Sequence, residues 1–355
     1  MPVFVFTGGG TAGHVTPNMA LIPLMQQRGY SIDYIGTENG MEKELIESLQ
    51  GVTYHSISAG KLRRYSNVKN LTDPFRVIKG YFQSLKILRQ LKPVGVFSKG
   101  GFVAVPIVMA AKSLNIPIVI HESDITPGLT TKLSVPSAKK VCVTFAKTIQ
   151  YIKGNKAVHT GSPIRSQLFS GVGEQALKHY GLDNKPVILV MGGSLGARAI
   201  NIALREALPK LLAEFNIIHI CGKGNIDAAL NDKKGYVQLE YISETLPDVM
   251  ACAVLIISRA GANSINEFLA LKKPMLLIPL PKEFSRGDQI DNAIEFSKAG
   301  YAVMLKEEEL NTQSLIIETK NLFDNRKKYI EAMNTADAGK GTENVLKVIL
   351  SCIEK

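Results

Sequence analysis

The chain has 355 residues, 45% hydrophobic and 21% charged, which suits a folded protein of about two domains and is too apolar for a disordered one. No run of about 18 uninterrupted apolar residues occurs, which argues against a transmembrane helix. The net charge of +11 is unevenly placed: residues 1–165 hold 20 Lys and Arg against 8 Asp and Glu, a net +12, and residues 166–355 hold 22 against 23, a net −1, so the first half is expected to face something anionic.

From the N-terminus, the apolar run Val3–Phe6 leads into Gly8-Gly9-Gly10-Thr11-Ala12-Gly13-His14. No basic segment precedes it, so a secretion leader is not expected. Gly8, Gly10 and Gly13 satisfy GxGxxG, a spacing that lets backbone N–H groups approach an anion at a helix start and is formally a dinucleotide fingerprint. The acid that would hold a ribose is absent, because the second strand, Tyr30–Gly36, runs into Thr37 before Glu38. His14, directly after the turn, is a candidate base or phosphate donor.

Residues 60–92 carry Lys61, Arg63, Arg64, Lys69, Arg76, Lys79, Lys86, Arg89 and Lys92 against Asp73 alone. Leu71, Phe75, Ile78, Phe82 and Leu85 fall on one helical face of this stretch, so it reads as a docking surface for an anionic membrane. The competing reading packs that arc on its own sheet and leaves the charges solvated. Nothing there matches a nucleic-acid motif, so nucleic acid is not an expected partner.

Strand runs follow at Val94–Phe97, Ile116–Ile120 and Val141–Thr144, alternating with helical periodicity. The first opens a second glycine turn, FSKGGF. After Ile116–Ile120 comes His121-Glu122-Ser123-Asp124, whose carboxylates lie where open αβ sheets bind ligands and are candidates for substrate contact or proton removal. A Gly- and Pro-containing junction lies at Thr160–Ser166, where the charge balance changes. The second half repeats the pattern with Val187–Met191, Ile217–Cys221, Val254–Ile257 and Met275–Ile278.

The halves echo one another. FTGGGTAGH at 6–14 resembles VMGGSLGAR at 190–198, and FSKGGFVAV at 97–105 resembles ISRAGANSI at 257–265. Four glycine turns in two halves suit a cleft with a phosphorylated ligand on each side, and the chain is expected to be α/β with two doubly wound domains. Beyond the last turn, Glu267 sits on a helix and Asp288-Gln289 follow Arg286-Gly287; a glycine turn with a carboxylate one turn later can hold a phosphate and a ribose diol. A helix at about Thr342–Glu354 comes late enough to fold back over either domain. Cys142, Cys221, Cys252 and Cys352 lie far apart and read as buried thiols in a reduced compartment. No DxD, HExxH, GxSxG or GxxxxGK[ST] occurs, so no metal site, serine hydrolase or P-loop is expected.

The ordered set GGGTAGH, FSKGGF, HESDITPGL, GSPIR, GGSLGAR, SRAGANSINE and RGDQIDNA resembles the MurG family of bacterial peptidoglycan glycosyltransferases over nearly the whole chain. That resemblance implies a GT-B architecture, two Rossmann-like domains with an interdomain cleft, and inverting transfer of N-acetylglucosamine from UDP-GlcNAc to lipid I without a metal or other cofactor. It divides the chain into an acceptor-binding and membrane-associating domain, 1–163, on which a helix of about 340–355 packs back, and a UDP-GlcNAc domain, 164–339. Carried onto matching positions, it puts the ribose on Glu267 and the uracil on the backbone of Ile242. Ser194, Ala262 and Arg165 fall near the donor phosphates, and Asp288 with Gln289 at the GlcNAc hydroxyls. Thr11, Ala12, Gly13, Gly100 and Gly101 fall at the acceptor diphosphate, and His14 beside the reaction centre. It further implies a peripheral location on the cytoplasmic face of the cell membrane.

The family often shows HEQN, GGSQGA and a Gln–Gln pair where this chain has Ser123-Asp124, Leu195 and Asp288-Gln289. A carboxylate at 124 can take a proton where an amide cannot, so Asp124, His14 and Glu122 are the candidate catalytic residues. Other readings stay open: another GT-B enzyme using a UDP-sugar, such as a glycolipid synthase or UDP-GlcNAc epimerase; an NAD(P)-dependent oxidoreductase built on the first glycine turn; and a non-catalytic scaffold that binds a UDP-sugar.

Overall fold

Apolar runs bounded by glycine turns and separated by helices form, in the computed structural model, two parallel sheets covered by helices. The structure describes residues 1–60, 69–193 and 196–354, and for 69–73 the backbone alone. The chain divides into two compact units, residues 1–165 with 339–355 and residues 166–338.

The first unit runs β1 (Val3–Thr7), α1 (Thr16–Gln27), β2 (Ser31–Thr37), α2 (Met41–Glu47), β3 (Val52–Ile57), α3 (Lys69–Leu91), β4 (Gly95–Ser98), α4 (Ala104–Ser113), β5 (Ile118–Glu122), α5 (Leu129–Ser134), β6 (Lys140–Val143) and β7 (Ala157–His159). Its strands lie in the order β3-β2-β1-β4-β5-β6-β7, all parallel. Alternate residues of β1 serve opposite faces, as the two-residue period of a strand requires. Phe4 and Phe6 pack with Leu21 and Ile22 of α1, and Val5 packs with Val96, Ile107 and Ile120.

The second unit runs α6 (Gly173–His179), β8 (Val187–Met191), α7 (Arg198–Leu211), β9 (Asn216–Ile220), β10 (Tyr236–Leu239), α8 (Leu246–Cys252), β11 (Ala253–Ser258), α9 (Ala262–Ala270), β12 (Met275–Leu277), α10 (Asp288–Lys298), β13 (Ala302–Met304), α11 (Thr312–Asp324) and α12 (Arg326–Asn334). The sheet order, β10-β9-β8-β11-β12-β13, repeats that of the first six strands of the other unit. Its core joins Ile188 and Val190 to Leu204, Leu208, Ile217, Ile257 and Leu315.

The last helix, α13 (Gly341–Ile353), returns to the first unit. Val345, Leu346 and Ile349 enter the cluster that contains Phe4 and Phe6. At its N-terminus the Thr342 hydroxyl accepts from the Ile164 N–H at 2.8 Å and donates to the Ile164 carbonyl at 2.9 Å, while the Asn344 amide donates to the Thr160 carbonyl. The GSPIR segment is thus tied to this helix.

On α3, Phe75, Ile78 and Phe82 are 74%, 54% and 63% exposed, and Arg76, Lys79, Lys86 and Arg89 are exposed beside them. Leu85 does not share that face: it is buried with Leu88 against the sheet. The apolar arc expected from the sequence therefore divides between core and surface. Lys61, Arg63 and Arg64, and the side chains of Lys69, Leu71 and Asp73, lie outside the described residues. No helix among the described residues is long and apolar enough to cross a membrane.

Candidate functional site

In an open parallel sheet the chain leaves in opposite directions from the two strands at which the order reverses, and a crevice opens at their carboxyl ends. Those strands are β1 and β4 in the first unit and β8 and β11 in the second. Each of the four carries one of the glycine turns, so the internal echo in the sequence marks the two switch points.

At the first switch point the turns after β1 and β4 are packed together. Gly101 has φ +82°, and a Cβ on it would lie 2.2 Å from the Gly9 carbonyl and 3.2 Å from His14 Nδ1. Both facts require glycine. His14 Nδ1 lies 3.2 Å from the Gly9 carbonyl and 3.1 Å from the Thr11 hydroxyl. A carbonyl only accepts, so Nδ1 carries the proton, and in the neutral ring Nε2 is the basic nitrogen. Thr11 is exposed; Ala12, Gly13 and Gly100 are half-buried around His14, and a Cβ on Gly100 would lie 3.9 Å from the imidazole.

One turn amide is already used within the protein. The Gly10 N–H donates to the Glu42 carboxylate at 3.1 Å, and the Thr37 N–H donates to its other oxygen at 3.1 Å. Glu42 is fully buried, and the sequence reading did not single it out. Its only sequence signal is an acid in the first turn of a helix after a strand. An internal carboxylate thus sits on an amide that a dinucleotide pyrophosphate would use.

The HESD segment ends β5, two strands from β1. The His121 Nε2–H donates to the Gly161 carbonyl at 3.1 Å, and burial, then the Lys99 charge, holds its pKa well below the ordinary histidine range. It is a neutral strut. Glu122 accepts from the Asp124 N–H and the Gly128 N–H, 3.0 Å each, one on each oxygen. Glu122, one of the candidate catalytic residues, thus shapes the loop that presents Asp124 through one N–H contact on each carboxylate oxygen. The Asp124 carbonyl accepts from the Thr148 hydroxyl at 3.2 Å. Lys99, 3% exposed, donates through its ammonium to the Ser123 hydroxyl. Burial pulls its pKa down to about 8, against the opposing effect of Glu122 and Asp124. The Lys99 N–H donates to the Thr7 carbonyl at 2.9 Å. Arg165, half-buried, ends the first stretch of the same unit.

In the second unit, Gly196 has φ +76°, and a Cβ there would lie 2.0 Å from the Cys221 carbonyl, which fixes the turn against the end of β9. Ser194 lies outside the described residues. Gly261 caps α9 with open space where its Cβ would be; Ala262 begins the helix, buried, and Glu267 lies half-buried five residues on. Asn292 of α10 donates to the Ala260 carbonyl at 3.2 Å, and Gln289 accepts from the Leu280 N–H at 3.1 Å. Asp288 accepts from the Arg286 N–H at 3.2 Å. The first turns of α10 therefore brace the ends of β11 and β12. Arg259 is a strut, donating to the Ile278 and Pro279 carbonyls and pairing with Glu307. Ile242 is half-buried in the turn between β10 and α8. Among the described residues, no group of three or more His, Cys, Asp or Glu is arranged to hold a metal ion.

Comparison with known proteins also finds two parts, although the second match runs on into α13, which packs with the first unit. Residues 4–143 match the glycosyltransferase family 28 N-terminal domain and residues 187–349 its C-terminal domain. The chain is 53% identical over 350 residues to the UDP-N-acetylglucosamine--N-acetylmuramyl-(pentapeptide) pyrophosphoryl-undecaprenol N-acetylglucosamine transferase of Clostridium botulinum (strain Loch Maree / Type A3), covering 98% of this chain and 99% of that one. Among solved structures, MurG of Acinetobacter baumannii superposes with a TM-score of 0.75 at 29% identity, covering 99% of this chain and all of that one. A UDP-GlcNAc 2-epimerase from Neisseria meningitidis, bound to UDP-GlcNAc, shares the fold with a TM-score of 0.68 at 16% identity over 99% of this chain and all of that one.

Proposed function

The chain belongs to glycosyltransferase family 28, and from that membership we propose that it transfers N-acetylglucosamine from UDP-GlcNAc to the muramoyl 4-hydroxyl of lipid I, making lipid II for peptidoglycan synthesis. The observation that carries this reading is the 53% identity, over nearly the full length of both chains, to a transferase named for that reaction.

In the reaction the acceptor oxygen attacks C1 of the donor sugar. The bond from C1 to the phosphate oxygen breaks, its electron pair leaves on UDP, and the hydroxyl proton passes to a base. Attack opposite the leaving group inverts C1. We assign the donor to the second unit: Glu267 to the ribose, the Ile242 backbone to the uracil, and Asp288 with Gln289 to the sugar hydroxyls. Ala262 and Ser194 go to the diphosphate, with Arg165 directed to the same phosphates. The positive end of α9, open at Gly261, and the arginine charge offset the charge developing on UDP, and on this reading no metal ion is required. Thr11, Ala12, Gly13, Gly100 and Gly101 receive the acceptor diphosphate. Asp124 and Nε2 of His14 are the proton-accepting groups, and Glu122 holds the Asp124 loop.

Lipid I is membrane-bound, so the enzyme must work at a surface. The exposed Phe75, Ile78 and Phe82, with Arg76, Lys79, Lys86 and Arg89, supply apolar contact and positive charge on one helix. Each cation near an anionic surface contributes about 1 kcal/mol. We assign the chain to the cytoplasmic membrane face as a peripheral protein.

The test is UDP release from UDP-GlcNAc in EDTA, with and without a lipid I analogue. Release that depends on the acceptor supports the reading. Conversion of UDP-GlcNAc to its 2-epimer without acceptor would favour the epimerase chemistry of the fold neighbour instead.

A further inference from the structure

Glu42, in the first turn of α2, is fully buried and has no part in the transfer reaction as assigned above. A carboxylate out of water is costly unless hydrogen bonds compensate it. Here one oxygen accepts from the Gly10 N–H at 3.1 Å, and the other accepts from the Thr37 N–H at 3.1 Å and from the Thr37 hydroxyl. The fit is close, since a Cβ on Gly9 would lie 2.6 Å from the Glu42 carboxyl carbon. The Gly10 N–H and the Gly9 carbonyl belong to one peptide unit, and in a planar trans peptide the two point in opposite directions. That carbonyl lies 3.2 Å from Nδ1 of His14. Glu42 and His14 thus hold the two sides of a single peptide plane.

Both residues of this peptide are glycine, which adopts either sign of φ, so their torsions alone do not fix which way the plane faces. With the Gly10 N–H on Glu42, the carbonyl faces the imidazole and requires the proton on Nδ1. Turned over, the plane would set an N–H against Nδ1, which would then have to accept, and the proton of the neutral ring would move to Nε2. The Thr11 hydroxyl, 3.1 Å from Nδ1, can donate or accept and so selects neither tautomer.

We propose that Glu42 is a positioning residue for the transfer reaction: by holding the Gly10 N–H it turns the Gly9 carbonyl toward His14 and keeps the imidazole proton on Nδ1. The link to turnover rests on the reading that His14 takes the acceptor proton; the link from Glu42 to the tautomer does not. Glu42→Gln keeps the shape of the side chain but has one carbonyl oxygen in place of two. The two donors of Thr37 draw that oxygen, which leaves the amide NH₂ opposed to the Gly10 N–H. Turning the peptide over relieves the opposition, because its carbonyl then accepts from the amide.

The first readout is a long-range ¹H–¹⁵N spectrum of histidine-labelled protein at a pH where the ring is neutral, with the His14 signals assigned by their loss in His14→Ala. It needs no turnover. In the wild type Nδ1 is expected to carry the proton; a proton on Nε2 would overturn the proposal without any Glu42 variant. In Glu42→Gln the proton is expected to move to Nε2, and a tautomer unchanged from the wild type would overturn it as well. The second readout is kcat for transfer to a lipid I analogue. Glu42→Gln is expected to lower it by about 10²–10⁴-fold, with UDP-GlcNAc affinity unmoved, and to add little once His14 is Ala. A moved tautomer with near-normal kcat would overturn the positioning role. A wild type that transfers nothing to lipid I, yet shows the expected pair of tautomers, defeats the function reading alone and supports the coupling of Glu42 to His14.

Discussion

At the scale of single residues, the site depends on which polar atoms are already committed. Glu122 and Glu42 carry carboxylates in the switch-point region, yet both spend them on backbone N–H groups. His121 spends its N–H on a carbonyl, and His14 sets Nδ1 against the Gly9 carbonyl. The sequence could place His14, His121 and Glu122 near a ligand-binding edge, because they follow strands and a glycine turn, but it did not single out Glu42. It could not separate struts from chemistry, since that depends on partners as far as 40 residues away, such as Gly161 for His121. Lys99 was legible as part of a glycine turn; its burial against Ser123 was not. These assignments predict that His14→Ala and Asp124→Asn each lower kcat by about 10²–10⁴-fold, the usual contribution of a positioned base. UDP-GlcNAc affinity, measured by titration calorimetry, is expected to stay within about twofold. Near-normal kcat in both variants would remove the base assignment.

At the scale of elements, central strands announce themselves and edge strands do not. The eight apolar runs and the strand at Tyr30–Gly36 correspond to β1, β2, β4, β5, β6, β8, β9, β11 and β12. The four strands without such a signal, β3, β7, β10 and β13, are the four sheet edges. An edge strand of a parallel sheet is covered less completely, so its sequence mixes polar and apolar residues, as in Val-Thr-Tyr-His-Ser-Ile of β3. Helix α3 shows the converse problem. One apolar arc served both the core, through Leu85, and the surface, through Phe75, Ile78 and Phe82. Periodicity cannot tell what an apolar face packs against. Replacing Phe75, Ile78 and Phe82 together by Ser is expected to weaken sedimentation with phosphatidylglycerol vesicles by about tenfold or more, each large side chain contributing roughly 1–3 kcal/mol when buried. High salt is expected to weaken the wild type as well. Equal binding of wild type and variant to neutral and anionic vesicles would contradict the surface assignment.

At the scale of the whole molecule, the charge asymmetry and the repeated glycine turns belong to one division of labour. Two sheets of the same strand order each offer a switch point, and the excess positive charge lies almost wholly in the half assigned to the diphosphate-bearing, membrane-held acceptor. The last helix, α13, returns to that half and ties down the segment ending at Arg165. On the proposed function, the reaction is a direct displacement at C1 of the donor sugar. The most direct test is to follow UDP-GlcNAc carrying ¹³C at C1 by NMR, in the presence of a lipid I analogue. The α-anomeric signal of the donor is expected to be replaced by a β-anomeric signal bonded to the muramoyl O4 as UDP is released. A product that keeps the α configuration, or a label that stays on UDP as the 2-epimer, would contradict it.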